Sequence, residues 1–161
     1  MEKRPDLRRG CTGFTLMEAM VACLIVVVMG TFATVGYSAW LPRYRLKAAA
    51  RELYSHMHRA KMTAIKGNGN VTITYSQDPD CYSLSNVSRT VNLADYGSGV
   101  RFQGPQGQTF SVPSITFNSR GRCNAGYAYL TDEKGSSFYR VGPSWSTGVI
   151  RFEEYVSGSW K

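Results

Sequence analysis

One carboxylate lies inside a long apolar run near the start of the chain. Glu18 is the only charged residue between Phe14 and Tyr37, and it follows Gly13 by five positions. A charge inside a membrane helix costs a few kcal/mol, so such residues are rare and have partners. An ion pair in a low-dielectric setting is far stronger than in water. We therefore expect Glu18 to pair with a positive group on a neighbouring subunit.

Several arginines in the second half of the chain could contact an anionic polymer. Arg120 and Arg122 flank Gly121, and Arg151 follows near the C-terminus. The chain has a formal net charge of +8, and arginine near aromatic rings is one chemistry for binding DNA. The alternative is that these arginines are solvated and either aid solubility or contact neighbouring subunits. The sequence alone leaves both interpretations open.

The residue patterns of an enzyme or a metal centre are missing from the sequence. His56 and His58 are two positions apart, so they point in different directions on a helix. The four cysteines do not cluster with them. There is no glycine-rich phosphate loop leading into a helix and no nucleophile elbow. We expect no enzymatic activity, no cofactor and no metal site.

The charges before the apolar run predict the compartment of the rest of the chain. Four cations precede Phe14, and a positive flank keeps that end of a membrane segment in the cytoplasm: Lys3, Arg4, Arg8 and Arg9. The remainder of the chain would then lie in an oxidising compartment. Cys81 and Cys123 are the two cysteines of that remainder, and a disulfide between them is expected. The alternative is two unpaired thiols in a small core.

A long helix must carry Glu18. The run from Phe14 to Tyr37 would be about 36 Å long as a helix, which is enough to cross a bilayer. After Pro42 an amphipathic pattern continues until Gly67. We predict one helix from about Phe14 to Lys66, its first half in lipid or in a filament interior and its second half packed on a globular body. The predicted packing face is Leu46, Ala50, Leu53, Met57, Ala60 and Ala64.

From Val71 onward the pattern has a period of two, and glycine, proline, asparagine and aspartate separate the short runs. We predict antiparallel sheets and an α+β fold. The chain would consist of a leader (1–13), a transmembrane or filament-core helix (14–37), an amphipathic helix continuing into the body (38–68) and a β-rich body (69–161). The predicted strands lie at 71–75, 81–86, 90–93, 100–102, 109–112, 115–118, 127–130, 138–141 and 149–155.

The first 18 residues closely resemble the class III signal of type IV pilins and type II secretion pseudopilins. A short charged leader ends at Gly13, and Phe14 to Glu18 then opens the apolar run. An ordinary secretory signal has a shorter apolar core followed by a small-residue cleavage site. A plain signal anchor explains the length of the run but not Glu18. The resemblance implies cleavage after Gly13 by a prepilin peptidase, N-methylation of Phe14 and an assembly role for Glu18.

Residues 45–53 and 59–68 resemble the helix of the minor pilin and H-type pseudopilin branch of this family, often called FimT/GspH-like. That resemblance implies a pilin-like fold and a structural subunit of a type IV pilus or a type II secretion pseudopilus, in assembly priming or at the tip. Its partners would be the prepilin peptidase, other pilins or pseudopilins and the inner membrane. The chain would cross that membrane once, with its body in the periplasm, and then enter the pilus or pseudopilus.

Two alternatives remain at the level of the sequence. Some pilins of this branch bind DNA through an arginine-containing motif near the C-terminus, and the segment Gly148 to Arg151 is the nearest match. Val149 stands where the first arginine of that motif would be. The other alternative is a membrane-anchored β domain that never polymerises. The resemblance does not separate a pilus from a secretion machine.

Overall fold

The computed structural model of the chain shows an α+β fold and describes residues 14–85, 89–97, 99–144 and 147–161, apart from the side chains of residues 32–36, 38 and 39. The predicted cleavage residue, Gly13, lies outside the described residues. The chain divides into two compact units, Met1–Ser38 and Ala39–Lys161, and each is described by itself.

Helix α1 spans Leu16–Lys66 and begins with a capping residue. The Thr15 hydroxyl oxygen accepts a hydrogen bond from the Glu18 backbone N–H at 3.2 Å, and the Ala19 N–H donates to the Thr15 carbonyl at 3.1 Å. Threonine followed three residues later by glutamate is the sequence signature of a capping box. Because Thr15 caps the helix, α1 begins at Leu16, two residues later than the predicted start at about Phe14.

The helix ends at Lys66, as the sequence predicts. The Gly67 N–H donates to the Thr63 carbonyl at 2.8 Å, and the Gly69 N–H donates to the Ala64 carbonyl at 3.1 Å. These bonds satisfy carbonyl groups that a helix C-terminus leaves without partners.

In the first unit, the apolar side chains of α1 from Leu16 to Met29 are exposed in every direction around the helix. Nine of the large ones between Leu16 and Met29 are more than 50% exposed: Leu16, Met17, Met20, Val21, Leu24, Ile25, Val26, Val27 and Met29. Within the described part of the chain, no helix is both long enough and apolar enough to cross a membrane.

In the second unit, one face of α1 is fully buried. The predicted packing face is confirmed, and Ala49 joins it, because all seven side chains have no exposed surface: Leu46, Ala49, Ala50, Leu53, Met57, Ala60 and Ala64. Burying a leucine contributes about 1.5–3 kcal/mol relative to leaving it in water. These side chains belong to one hydrophobic core with residues of the β body.

Two antiparallel sheets complete the body. The strands are β1 Val71–Gln77, β2 Asp80–Leu84, β3 Arg89–Asn92, β4 Arg101–Phe102, β5 Ser114–Phe117, β6 Ala128–Thr131, β7 Phe138–Ser144, β8 Val149–Val156 and β9 Ser159–Trp160, with a 3-10 helix at Leu93–Tyr96. The first sheet has the order β3-β2-β1-β5 and the second the order β4-β6-β7-β8-β9. Alternation along β1 buries Val71, Ile73 and Tyr75, as a strand packed on one face requires.

The expected disulfide is not formed, since Cys81 and Cys123 are both free. The register of the first sheet explains this correction. Cys81 pairs with Ser76, whereas Cys123 bridges to Phe117, which pairs with Val71 at the other end of β1. Those two ends are about 16 Å apart, and strands β1 and β5 also lie between the thiols. A disulfide needs Cα atoms within about 7 Å, so this fold keeps the two cysteines apart.

Candidate functional site

The N-terminal segment of α1 presents Glu18 without a partner inside the described chain. Phe14 is 72% exposed, and Glu18 is exposed as well. Among the described residues, no ion pair or hydrogen bond reaches the Glu18 carboxylate; only its backbone N–H is bonded, to Thr15. Within the described residues, this carboxylate is therefore open to a group supplied from outside.

The surroundings of Glu18 on the helix are apolar. The helix residues three, four and seven positions beyond Glu18 share its face, and these are Val21, Ala22 and Ile25; the capping Thr15 lies on the N-terminal side. A helix that is apolar on all sides is stable only when it is buried in a larger assembly or in lipid. Exposed apolar surface of this extent marks an interaction site.

Arg120 and Arg122, which the sequence suggests as DNA contacts, lie on a hydrogen-bonded turn after β5. The Asn118 side-chain oxygen accepts hydrogen bonds from the backbone N–H groups of Arg120 at 3.0 Å and Arg122 at 2.9 Å. The Gly121 N–H donates to the Asn118 carbonyl at 2.9 Å. Both arginine side chains are exposed, so the turn fixes their backbone while leaving their charges free to bind.

This turn packs against the end of α1 and the loop before β8. The Lys61 ammonium group donates to the Gly148 carbonyl at 2.9 Å. Gly121 and Gly148 both have positive φ, and a Cβ atom on Gly148 would lie only 2.1 Å from the Gly121 carbonyl oxygen. The glycine that opens the Gly148–Arg151 segment is thus required by close backbone approach.

Arg151 faces a carboxylate instead of joining the other two arginines. Its side chain is 56% exposed, and its guanidinium lies 3.4 Å from Glu153. Glu153 also forms a closer ion pair with Arg140. The Arg140 guanidinium in turn lies 4.7 Å from the ring centres of Tyr127 and Trp160. Arg151 is therefore part of an Arg–Glu–Arg group on the second sheet.

A basic, aromatic groove of about 550 Å³ lies in the body between α1 and strands β7 and β8. We call it the basic groove; it is lined by Trp40, Arg43, Tyr44, Lys47, Ala48, Arg51, Tyr139 and Glu154. The Trp40 and Tyr44 rings stack with centres 4.9 Å apart. The sequence reasoning missed this groove, although the four-residue spacing of Arg43, Lys47 and Arg51 was a readable signal.

The wall of the basic groove opposite the helix is polar. Tyr139 pairs directly with Glu154 across β7 and β8. Burial and the Glu154 carboxylate raise the pKa of Tyr139 to about 12, and the charges of Arg51 and Arg43 oppose that rise. The groove therefore combines three cations with one carboxylate and its neutral phenol.

A polar cluster joins α1 to the first sheet on another face of the helix. The Nδ1 atom of His56 is 2.7 Å from the Tyr82 hydroxyl, and its Nε2 atom is 3.8 Å from Glu52. Burial lowers the pKa of His56, against the opposing effect of Glu52. Within the described residues, no three potential ligands come together to hold a metal ion. The cluster serves to position the helix.

Residues 49–147 match the model of a family described as type II transport protein GspH. Among solved structures, the minor pseudopilin EpsH from the type 2 secretion system of Vibrio cholerae aligns with a TM-score of 0.55 and 12% identity, over 67% of this chain and 95% of that one. The Pseudomonas aeruginosa type IV minor pilin FimU aligns with a TM-score of 0.54 and 17% identity, over 74% of this chain and 94% of that one. At these identities the likeness shows the fold alone. No curated protein is a significant match to the sequence.

Proposed function

The chain belongs to the GspH family of type II transport proteins, and from this premise we propose that it is a minor pilin or pseudopilin that assembles through Glu18 and the apolar first part of α1. Proteins of this kind are structural subunits, and the chain is not an enzyme. The observation that carries the proposal is a carboxylate on an exposed, apolar helix that has no partner among the described residues. Such a helix needs protein or lipid around it.

We propose that processing makes the positive partner of Glu18. Cleavage after Gly13 by a prepilin peptidase would free the α-amine of Phe14, which is then methylated and remains cationic. Glycine at the cut presents an unhindered backbone to the peptidase. The amine of one subunit and the Glu18 carboxylate of its neighbour would then pair in an apolar bundle, where an unpaired charge is strongly unfavourable.

The proposed route begins in the inner membrane. The run from Phe14 to Tyr37 contains Glu18 as its only charge, and cations precede it, which favours a single anchor with the body in the periplasm. From there the chain would enter a pilus or pseudopilus, as a priming or tip subunit. The membrane would hold the helix until other subunits replace the lipid.

The test is to produce the full chain with Glu18→Ala in cells that assemble the filament. We expect N-terminal mass spectrometry to show normal cleavage after Gly13, and we expect the amount in sheared filaments to fall at least ten-fold. Thr15→Ala is the matched control, because it removes the helix cap but keeps the carboxylate. Normal entry of Glu18→Ala into filaments would refute the pairing. A chain that is not cleaved at Gly13 would instead favour the non-polymerising anchored domain.

A second candidate function, DNA binding during uptake, is favoured by the turn that displays Arg120 and Arg122. Its backbone is fixed by Asn118 while both guanidinium groups are exposed. The expected result is a salt-dependent shift of duplex DNA by the full chain in detergent, lost in the Arg120→Ala/Arg122→Ala variant. Arg151→Ala should have a smaller effect, because its guanidinium already lies beside the Glu153 carboxylate. Absence of binding at low salt would remove this candidate.

A further inference from the structure

The basic groove has the composition of a protein-binding hot spot. Tryptophan, tyrosine and arginine are the residues that contribute most to protein–protein binding, and all three types line this groove. Trp40 and Tyr44 are 56% and 57% exposed despite their size. Their stacking holds the two rings in place before any partner binds, which lowers the entropy lost on binding.

The cations of the groove are available for a ligand. Within the described chain, Arg43, Lys47 and Arg51 make no ion pair, although Glu154 lies in the same groove. Three positive charges on the helix against one carboxylate on the opposite wall leave the groove with a net charge of +2. The groove therefore favours an anionic partner.

The spacing of these three cations along the helix favours an extended anionic partner over a small anion. Residues four positions apart on a helix are displaced by about 6 Å along its axis, so the row of three extends over about 12 Å. Side chains on the same face of an extended polypeptide are about 6.6 Å apart. Carboxylates at alternate positions of a strand or loop would meet the row in register, whereas one phosphate group could reach only part of it.

The opposite wall distinguishes a polypeptide from a nucleic acid. The Glu154 carboxylate only accepts hydrogen bonds. A polypeptide backbone supplies N–H donors to such an acceptor, but the phosphate backbone of a nucleic acid supplies none.

We propose that the basic groove binds an extended acidic segment of a neighbouring filament subunit, one that carries carboxylates at alternate positions. This inference rests on the proposed function, because it takes the partner to be another subunit of the same assembly. It adds a second contact to that of Glu18, made by the body instead of the apolar helix. The contact through the apolar helix would hold subunits together in the filament. The groove would determine which kind of subunit binds next to this one.

The experiment places a photo-reactive benzoylphenylalanine at position 44 of the full chain in cells that assemble the filament. After irradiation, the cross-linked peptide is mapped by mass spectrometry. We expect one dominant adduct, with a subunit segment that has at least two carboxylates at alternate positions. Adducts with lipid or DNA, with a segment lacking carboxylates, or no adduct at all would overturn the inference.

Charge reversal supplies the second arm of the test. Arg43→Glu/Lys47→Glu should reduce the adduct at least ten-fold, and replacing the mapped carboxylates of the partner with lysine should restore it. Arg59→Glu/Lys66→Glu is the matched control, since it makes the same change in charge at exposed positions of α1 outside the groove. The milder Arg43→Gln/Lys47→Gln variant should weaken the adduct in the same direction if the double reversal lowers the protein level. An adduct that survives reversal unchanged would refute the charge pairing.

The two proposals fail in different ways. If the wild-type chain is cleaved but absent from filaments, the proposed function is wrong, whatever the groove binds. If the wild-type chain enters filaments and the Arg43→Glu/Lys47→Glu variant enters equally well with an unchanged adduct, the groove inference alone is wrong.

Discussion

The two halves of helix α1 differ in whether their apolar side chains are exposed or buried. Between Leu16 and Met29 the large side chains are exposed all around the helix. Between Leu46 and Ala64 one face is fully buried on two antiparallel sheets, and the rest of the helix carries charge. The second half therefore buries its apolar face within the chain. The first half can bury its apolar side chains only against lipid or another protein. The difference separates the part of the sequence that folds the body from the part that we propose assembles it.

The largest expected effect comes from removing packing in the buried half. Leu53→Ala should lower the free energy of unfolding by about 2–5 kcal/mol, because it deletes a fully buried side chain and leaves a cavity. Leu24→Ala, at a side chain that is 65% exposed, should change it by less than about 0.5 kcal/mol. Denaturant unfolding of the full chain in detergent, followed by tryptophan fluorescence, measures both. Equal effects would contradict the division between the two halves.

A second prediction concerns how the end of the buried half is attached to the body. Gly148→Ala should destabilise the protein by several kcal/mol, about 1–3 from its positive φ alone, because the new Cβ would also strike the Gly121 carbonyl. Gly107 is the control: it has a positive φ but open space around its missing Cβ. Thermal unfolding should therefore show a clearly lower Tm for Gly148→Ala than for Gly107→Ala. Similar Tm values would show that the close approach is unimportant.

The third prediction uses pH to probe the buried half at His56. Burial lowers the folded-state pKa of His56 below its usual value of 6.5, so the unfolded chain binds more protons as the pH falls through that value. Its contribution to stability is complete above about pH 6.5 and is lost toward the lower folded pKa. Glu52, Arg59, Arg89 and Tyr82 surround the ring. Unfolding measured between pH 7.5 and 5 should show this loss, and His56→Gln should flatten it. A slope unchanged by the substitution would assign the effect to other groups.

The smallest effect is expected at the start of the exposed half. Thr15→Ala removes the oxygen that accepts from the Glu18 N–H, and loss of such a cap costs about 0.5–2 kcal/mol locally. Hydrogen exchange should become faster at residues 16–20, with no change in the body. Faster exchange in the β strands would mean that the first turn of α1 stabilises the body, and would contradict the division between the exposed and the buried half of the helix.

Most of the long helix was predictable because its signals are local and repeated. The packing face from Leu46 to Ala64 follows a helical period, and Gly67 ends it. The start was placed two residues early because the Thr15–Glu18 capping pair was not recognised. The α+β fold followed from the change to a period of two after residue 70.

The contacts that depend on strand register could not be predicted. Compartment and cysteine count favoured a Cys81–Cys123 bond, but the pairing of β1 with β2 and β5 separates the thiols. The predicted strand at 109–112 is reduced to a single bridge from Phe110 to Ala128. The basic groove also escaped prediction, because its far wall comes from strands more than 85 residues away along the chain.

In the proposed filament, a neighbouring subunit completes the exposed half of α1 through Glu18. The most direct test is an electron cryomicroscopy structure of a filament or subcomplex assembled with this chain. We predict that the Glu18 carboxylate lies within about 4 Å of the N-terminal amine of an adjacent subunit, the distance of an ion pair. A Glu18 side chain that faces solvent or lipid in the assembled state, with no cation beside it, would show that Glu18 does not pair with a neighbouring subunit.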